Sequence, residues 1–172
     1  MSLATRTNPR NRLLQALERF GAPPFQDCLE RVDLPVRSVL VEPNEPPRYI
    51  HFIESGLGSV IASSTDGEHV EIGHIGFEGM TGTHVLLHAE TTPTKTFMQV
   101  GGEGLRVPVE VFLNTVEADR AARHLLLRYV QYSELQLAHS ALANARYSVN
   151  QRLARWLLMC HDRLDGDNLP LT

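Results

Sequence analysis

The pattern of apolar and polar positions changes its period twice along the chain. Over 11–20, leucines recur at helical spacing, which predicts a short amphipathic helix that ends at Gly21. A second short helix is predicted over 25–32. From 34 to 112, short apolar runs alternate with turn residues, as is typical of strands. After residue 112 the helical period returns, so helices are expected on both sides of a strand-rich middle.

The strand-rich middle predicts an antiparallel structure. Asp66-Gly67 stands between two strand-like runs and is a strong hairpin signal, and Gly101-Gly102 indicates a second hairpin. Many short strands with regular turns favour a small sandwich or barrel. The predicted fold is therefore mainly β, with helices before and after the barrel.

A long helix is predicted over 117–145, a stretch without proline or glycine. At a rise of about 1.5 Å per residue it would be roughly 43 Å long. Helices of this length usually pack against a partner, and small residues on the apolar seam would let two helices come close. We predict a dimer through this helix; the alternative is that it packs on its own barrel. The predicted seam residues are Leu126, Val130, Ser133, Leu137 and Ala141.

The last helix is predicted to start at Ser148. The four residues from Ser148 to Gln151 fit a capping box, in which side chains satisfy two backbone donors reciprocally. An apolar stripe continues to Leu164, and the polar residues 165–168 end the helix. A stripe of this size, with little sequence after it, indicates one half of a larger unit.

Composition narrows the class of protein. The chain has 172 residues, with 42% hydrophobic and 21% charged residues, which is ordinary for a globular protein. A net charge of −4 gives no overall basic footprint for nucleic acid. Cys28 and Cys160 are too few and too far apart for a disulfide framework, a CxxC zinc site or an iron–sulfur cluster. The two distant cysteines indicate a reducing, cytoplasmic setting. No apolar run approaches the ~18 residues of a membrane span, so no membrane partner is expected.

Glycine recurs at every third position in EIGHIGFEGMTGTHVLL, residues 71–87. This glycine repeat consists of Gly73, Gly76, Gly79 and Gly82. It is too dense in glycine for a helix interior and lacks the proline of a collagen tract. The repeat predicts a backbone that turns repeatedly or approaches another group closely; simple β-turns and bulges are the alternative.

The order of these elements resembles the Crp/Fnr family of bacterial transcription regulators. The local matches are YIHFIESGLGSVIASSTDGEHVEIGHIGFEGMTG, EGLRVPVEVF and QRLARWLLMCHDRLDGDNLPLT. The resemblance implies a cyclic-nucleotide-binding-like β-roll, a cupin-like jelly-roll barrel, flanked by N-terminal helices and a long C-terminal dimerisation helix. The implied parts are an N-terminal arm and helix over 1–20, the β-roll over 21–115, the dimer helix over 116–146, and the start of a truncated winged helix-turn-helix over 147–172.

The resemblance also implies a function. It implies the sensor and dimerisation portion of a regulator, not an enzyme, with ligand binding in the β-roll coupled to DNA binding by the missing helix-turn-helix. The implied partners are a second copy of the chain, an unidentified small effector, and DNA only through that missing part. Four arginines near the last helix would contact phosphates in an intact regulator, or form a solvated face with Asp162 and Asp165. They are Arg146, Arg152, Arg155 and Arg163.

In family members that bind cyclic AMP, a glycine-rich turn with a Gly-Glu pair and a downstream Arg-Ser pair hold the ribose and cyclic phosphate. The glycine repeat occupies the corresponding place, where exposed backbone N–H groups would form an anion-binding concavity. No arginine lies between Val70 and Leu105, however, and Lys95 cannot replace a guanidinium fork. The effector therefore stays open between a cyclic nucleotide, another small ligand and none. The candidate ligand residues are Gly76, Glu78, Gly79, Met80, Gly82, Thr83, Lys95 and Thr96.

Two functions from other classes are kept as alternatives. One is a standalone cyclic-nucleotide-binding module. The other is a cupin-like metalloenzyme using His84, His88 and Glu90, but the HxxxH spacing differs from the HxH of cupins, so no metal is predicted. No histidine is singled out for haem. Cys28 and Cys160 lie on predicted apolar helix faces and are interpreted as small buried hydrophobes, not nucleophiles.

Overall fold

A computed structural model describes residues 9–19 and 25–169 of the chain. Its helices and strands, in chain order, are α1 (Arg12–Arg19), β1 (Glu30–Leu34), β2 (Val39–Val41), β3 (Tyr49–Ile53), β4 (Leu57–Ser63), β5 (His69–Ile75), β6 (Lys95–Val100), β7 (Gly102–Pro108), α2 (Val109–Ala118), α3 (Arg120–Arg146) and α4 (Val149–His161). Short 3₁₀ helices cover Gln26–Cys28 and Thr83–Leu87. Among the described residues, no helix is both long and apolar enough to cross a lipid bilayer.

The strands form two antiparallel sheets, one in the order β1-β7-β3 and one in the order β2-β6-β4-β5. β4 and β5 are joined by the Asp66-Gly67 turn, where Gly67 has a φ of 82°, as hairpin turns require. The predicted antiparallel β-roll with flanking helices and this hairpin are confirmed.

The Gly101-Gly102 turn joins the two sheets and is not a hairpin. β6 before it belongs to the four-stranded sheet, and β7 after it belongs to the three-stranded sheet. A Cβ on Gly102 would collide with the carbonyl of Ser55, so glycine here lets two corners of the roll meet. The turn signal was therefore correct, but the pairing inferred from it was wrong.

The predicted helix over 25–32 is also wrong. Only Gln26–Cys28 forms a 3₁₀ turn, and β1 begins at Glu30 because its backbone pairs with β7, with Arg31 opposite Leu105. Pairing between distant strands overrides local helical preference. Cys28 is consequently exposed, whereas Cys160 is buried as expected.

The helix predicted near the start is confirmed as α1, whose Leu13, Leu14 and Leu17 are buried. Residues 20–24, which include the predicted helix end at Gly21, lie outside the described part of the chain. The main apolar core contains these leucines together with side chains from the roll, α2 and α3.

The helical region after the roll is divided in two. The strand-like run up to residue 112 becomes helical at Val109, and α2 ends at Ala118. Asp119 then caps α3, because its Oδ1 accepts hydrogen bonds from the N–H groups of Ala121 and Ala122 at 2.8 and 3.1 Å. The helix predicted over 117–145 therefore begins after a break at Asp119.

α4 begins as the sequence predicts. Ser148 Oγ accepts the Gln151 N–H, and Gln151 Oε1 accepts the Ser148 N–H at 2.9 Å, which completes the capping box. The predicted apolar stripe of α4 is exposed at its start, where Val149 and Leu153 are more than half exposed, and buried at Cys160.

Candidate functional site

A cavity of about 240 Å³ lies between the β-roll and α3. Its apolar lining comes from the strands, the glycine repeat, the 3₁₀ helix, and Val130 and Leu137 of α3. Its uncharged polar lining consists mainly of Thr83, His84, Thr92, Thr94, Thr96 and Ser133. This is where the glycine repeat, the 3₁₀ helix Thr83–Leu87 and α3 meet.

Half of the predicted ligand residues line this cavity. They are Met80, Gly82, Thr83 and Thr96. Gly82 has a φ of 71°, a conformation that glycine adopts without strain, and it starts the 3₁₀ helix that places Thr83.

The other predicted ligand residues lie outside the lining. Lys95 points elsewhere, with its Nζ 3.7 Å from the Glu42 carboxylate. Glu78 is used within the chain: its Oε1 accepts from Arg163 Nε at 2.6 Å, and its Oε2 accepts from the Gly76 N–H at 3.1 Å. The predicted roles of Lys95 and Glu78 as ligand contacts are therefore not supported.

Close packing of α3 and of the segment after α4 explains three members of the glycine repeat. A Cβ on Gly73 would lie 2.8 Å from Gln136 Oε1 of α3, and one on Gly76 would lie 2.8 Å from Arg163 Cβ. A Cβ on Gly79 would collide with the Tyr129 hydroxyl. The prediction of close approach is confirmed, but the approaching groups belong to this chain.

Tyr129 fixes the inner part of α3 to the turn. Its hydroxyl accepts the Met80 N–H at 3.0 Å and donates to the Met80 carbonyl at 3.2 Å. Burial raises the pKa of Tyr129 far above its usual value, so the hydroxyl stays protonated and can serve both bonds. No local signal in the sequence marks Tyr129, since it is one tyrosine in a long helix.

Two histidines at the cavity have buried ring nitrogens. His84 Nε2 has no hydrogen-bond partner among the described residues, and burial lowers the pKa of His84. His74 is 5% exposed. Its Nε2 lies 2.9 Å from Glu71 Oε1 but off hydrogen-bond alignment. Both residues line the cavity, and a neutral His84 offers it one donor and one acceptor.

Polar contacts attach α4 and the residues after it to the roll. Arg163 is 6% exposed, and besides Glu78 it donates from Nη2 to the Tyr132 hydroxyl at 3.3 Å. Trp156 Nε1 donates to Glu71 Oε1 at 2.6 Å. Tyr132 also lines the cavity, so it touches both the cavity and the segment after α4.

These attachments correct the prediction for Arg163 and Asp165, whereas Arg146 and Arg152 are exposed, as a solvated face requires. Arg163 is neither solvated nor paired with Asp162 or Asp165. The carboxylate of Asp165 instead accepts hydrogen bonds from both terminal nitrogens of Arg10, each at 2.6 Å. These partners are distant from α4 in the sequence, so no local spacing could have indicated the pairs.

The predicted dimer seam divides along α3. Leu126 and Val130 are buried in the chain's own core, at 0% and 7% exposed, so they are unavailable to a partner. Ser133 Oγ donates to the Tyr129 carbonyl at 3.2 Å. Leu137 and Ala141 are exposed.

The residues of the metalloenzyme alternative are not assembled. His84 lies in the 3₁₀ helix, and His88 follows it with a φ of 58°. Within 9–19 and 25–169, no group of three or more histidine, cysteine or acidic side chains could hold a metal ion, so His84, His88 and Glu90 form no such site.

No protein-family model matches this sequence, and a search of curated protein sequences found no match. Solved structures do match. The c-di-GMP responsive global regulator CLP of Xanthomonas campestris superposes with a TM-score of 0.68 at 19% identity, over 91% of this chain and 76% of that one. FixK2 of Bradyrhizobium japonicum gives a TM-score of 0.71 at 14% identity, over 84% and 73%.

Eukaryotic structures match as well. The regulatory subunit of a cAMP-independent protein kinase A from Trypanosoma brucei gives a TM-score of 0.60 at 12% identity, over 82% of this chain and 49% of that one. At such identities these likenesses establish the fold alone. The chain has the cyclic-nucleotide-binding, Crp/Fnr-like fold, as the resemblance in its sequence implied.

Proposed function

We propose that this chain is the effector-sensing and dimerisation portion of a Crp/Fnr-type transcription regulator that works in the cytoplasm and catalyses no reaction. A small effector occupies the cavity, and a second copy of the chain packs along α3. DNA is bound by a helix-turn-helix unit of which α4 is the first helix. The shared fold with CLP and FixK2 supports this assignment over a metalloenzyme.

The observation that carries the proposal is the contact between the cavity and α4. Tyr132 lines the cavity, its hydroxyl accepts from Arg163, and Arg163 is paired with Glu78 beside the glycine repeat. A ligand that moves Tyr132 changes the surroundings of Arg163. Because a ligand shifts an equilibrium only through different affinities for two states, this contact gives it a way to distinguish an attached α4 from a released one.

The outer part of α3 supports dimerisation. Leu135 and Leu142 are 51% and 49% exposed and lie seven residues apart, which places them on one face of the helix. Ala138 lies between the two leucines on the same face, and Ala145 lies after Leu142; both alanines are exposed. Leucines with small residues between them let two parallel helices pack closely.

Hydrogen–deuterium exchange of α4 tests the coupling. Arg163→Ala leaves Glu78 without its partner, so we expect amides of Val149–His161 to exchange at least about tenfold faster than in the unmodified chain. Arg152→Ala is the matched control: it replaces an exposed arginine within α4 and should leave the exchange of α4 unchanged. Equal exchange in both variants would mean that Arg163 does not hold α4.

Sedimentation of the purified chain tests the other half of the proposal. A dimer is expected at micromolar concentration. A monomer at high micromolar concentration would contradict the dimerisation role.

A further inference from the structure

The cavity lacks the positively charged side chain that an anionic effector needs. None of its lining residues, all of which belong to the described part of the chain, is an arginine or a lysine. The lining residue that carries a formal charge at neutral pH is Glu134, which is exposed. Lys95 is outside the lining and paired with Glu42. A phosphate in the cavity would therefore lose water without gaining a cation, which is strongly unfavourable.

In the first part of the glycine repeat and the two residues after it, the N–H groups of Gly76, Gly79, Met80 and Thr81 are already used within the chain. The N–H of Gly76 donates to Glu78 Oε2 at 3.1 Å, and the N–H of Gly79 donates to the Gly76 carbonyl at 3.1 Å. The N–H of Met80 donates to Tyr129 at 3.0 Å, and that of Thr81 to the His51 carbonyl at 2.9 Å. A phosphate could use these donors only by breaking bonds that hold the turn.

Uncharged residues that carry hydrogen-bonding groups do line the cavity. His84 has its buried Nε2 without a partner among the described residues, and burial keeps its imidazole neutral. Gln136 uses Oε1 to accept the His74 N–H at 2.7 Å, while its NH₂ group has no partner in the described part of the chain. Of these groups, His84 Nε2 is the one that is buried without a partner among the described residues, and such an atom is unfavourable unless a ligand or water satisfies it.

We propose that the effector is an uncharged molecule of one or two rings that hydrogen-bonds to His84, and that it is not a cyclic nucleotide or another phosphate. The inference rests on the proposed function in that it takes this cavity as the effector site. The size follows from the volume of about 240 Å³, since cavities of about 150 Å³ hold one benzene ring.

Amide chemical shifts of the ¹⁵N-labelled full chain test the class of ligand. The probes are benzamide, benzoate and benzylamine, which share one ring and differ in charge, together with cyclic AMP. Benzamide is expected to shift the amides of Thr83, His84 and Ser133 saturably, and the three charged probes are expected to leave them unchanged at the same concentrations. Saturable shifts with benzoate, benzylamine or cyclic AMP at equal or lower concentration would overturn the proposal. The proposal would also be overturned if none of the four probes shifted these amides.

A pair of variants tests the contact with His84. His84→Leu keeps an apolar side chain in the cavity but removes the hydrogen bond, so the dissociation constant for benzamide should rise about fivefold. His69→Leu replaces an exposed histidine of β5 and should leave the dissociation constant for benzamide unchanged. An equal dissociation constant in His84→Leu would overturn the role of His84.

Exchange of α4 measured with the same probes separates this inference from the proposed function. If cyclic AMP binds and alters exchange of α4, the ligand class is wrong but the sensor function stands. If benzamide binds and exchange of α4 stays the same, the ligand class stands and the coupling fails.

Discussion

The two halves of α3 have similar apolar patterns and opposite surroundings. In the inner half, residues 120–133, Leu126, Tyr129 and Val130 are buried against the roll and α2. In the outer half, residues 134–146, the leucines at 135, 137 and 142 are exposed. Periodicity identifies an apolar helix face, but it does not identify the surface that covers the face.

What distinguishes the halves is the backbone opposite them. At the inner half, Gly79 leaves room for the Tyr129 ring, and the turn donates a hydrogen bond to its hydroxyl. The outer half lies beside Gly73 of the roll through Gln136 and Leu137, and it buries only the small side chains of Ser140 and Ala143. The inner half therefore belongs to the core of the chain, whereas the outer half is the surface that we propose as the interface between two copies.

Truncation of one leucine in each half is the strongest test of this comparison. Leu126→Ala should lower the free energy of unfolding by about 3 kcal/mol, because Leu126 is fully buried and its loss leaves a cavity. Leu142→Ala removes a half-exposed side chain and should change it by less than about 0.5 kcal/mol. Urea unfolding at low protein concentration measures both, and equal losses would remove the distinction.

A charge in the outer half should act on association. Leu142→Glu places carboxylates opposite each other in the proposed dimer, so the dimer dissociation constant should rise at least about thirtyfold, or about 2 kcal/mol. Asn144→Glu adds the same charge about 200° around the helix and is the control. Sedimentation velocity measures both variants. If both variants weaken the dimer alike, the face that contains Leu142 is not the interface.

Loss of the Tyr129 hydroxyl, which anchors the inner half to the turn, should have a smaller effect on stability. Tyr129→Phe removes the acceptor of the buried Met80 N–H, and the unfolding free energy should fall by about 1.5 kcal/mol. Tyr132→Phe is the matched control: its ring is 47% exposed and it loses one 3.3 Å bond, so a change below about 0.5 kcal/mol is expected. A larger loss in Tyr132→Phe would show that the attachment of α4, and not the inner half, carries the stability.

The sequence predicted those features that depend on neighbouring residues. The β4–β5 hairpin follows from Asp66-Gly67, and the start of α4 follows from the capping box at Ser148. The sheet switch at Gly101-Gly102 was missed because a turn signal does not say which strands pair. The break at Asp119 was missed because no glycine or proline marks it, although aspartate is a preferred N-cap.

The candidate site was predicted less well, because its contacts join distant parts of the chain. Glu78 and Arg163 are 85 residues apart in sequence, so nothing near Glu78 indicates that it is already paired. The glycine repeat signalled a close approach, but its spacing could not distinguish a bound phosphate from a tyrosine of α3. The absence of an arginine between Val70 and Leu105 is the sequence feature that argues against a phosphate ligand.

The smallest effect is expected where the inner half begins. Asp119→Ala removes the carboxylate that accepts two backbone N–H groups at the start of α3, and the unfolding free energy should fall by about 1 kcal/mol. Glu117→Ala, two residues earlier, removes an exposed acid in the last turn of α2, where a negative charge opposes the helix dipole, so stability should stay equal or rise slightly. Urea unfolding distinguishes the two. If Asp119→Ala were neutral, the division between α2 and α3 would not depend on this cap, and packing of Ala122 and Leu126 would have to position the inner half alone.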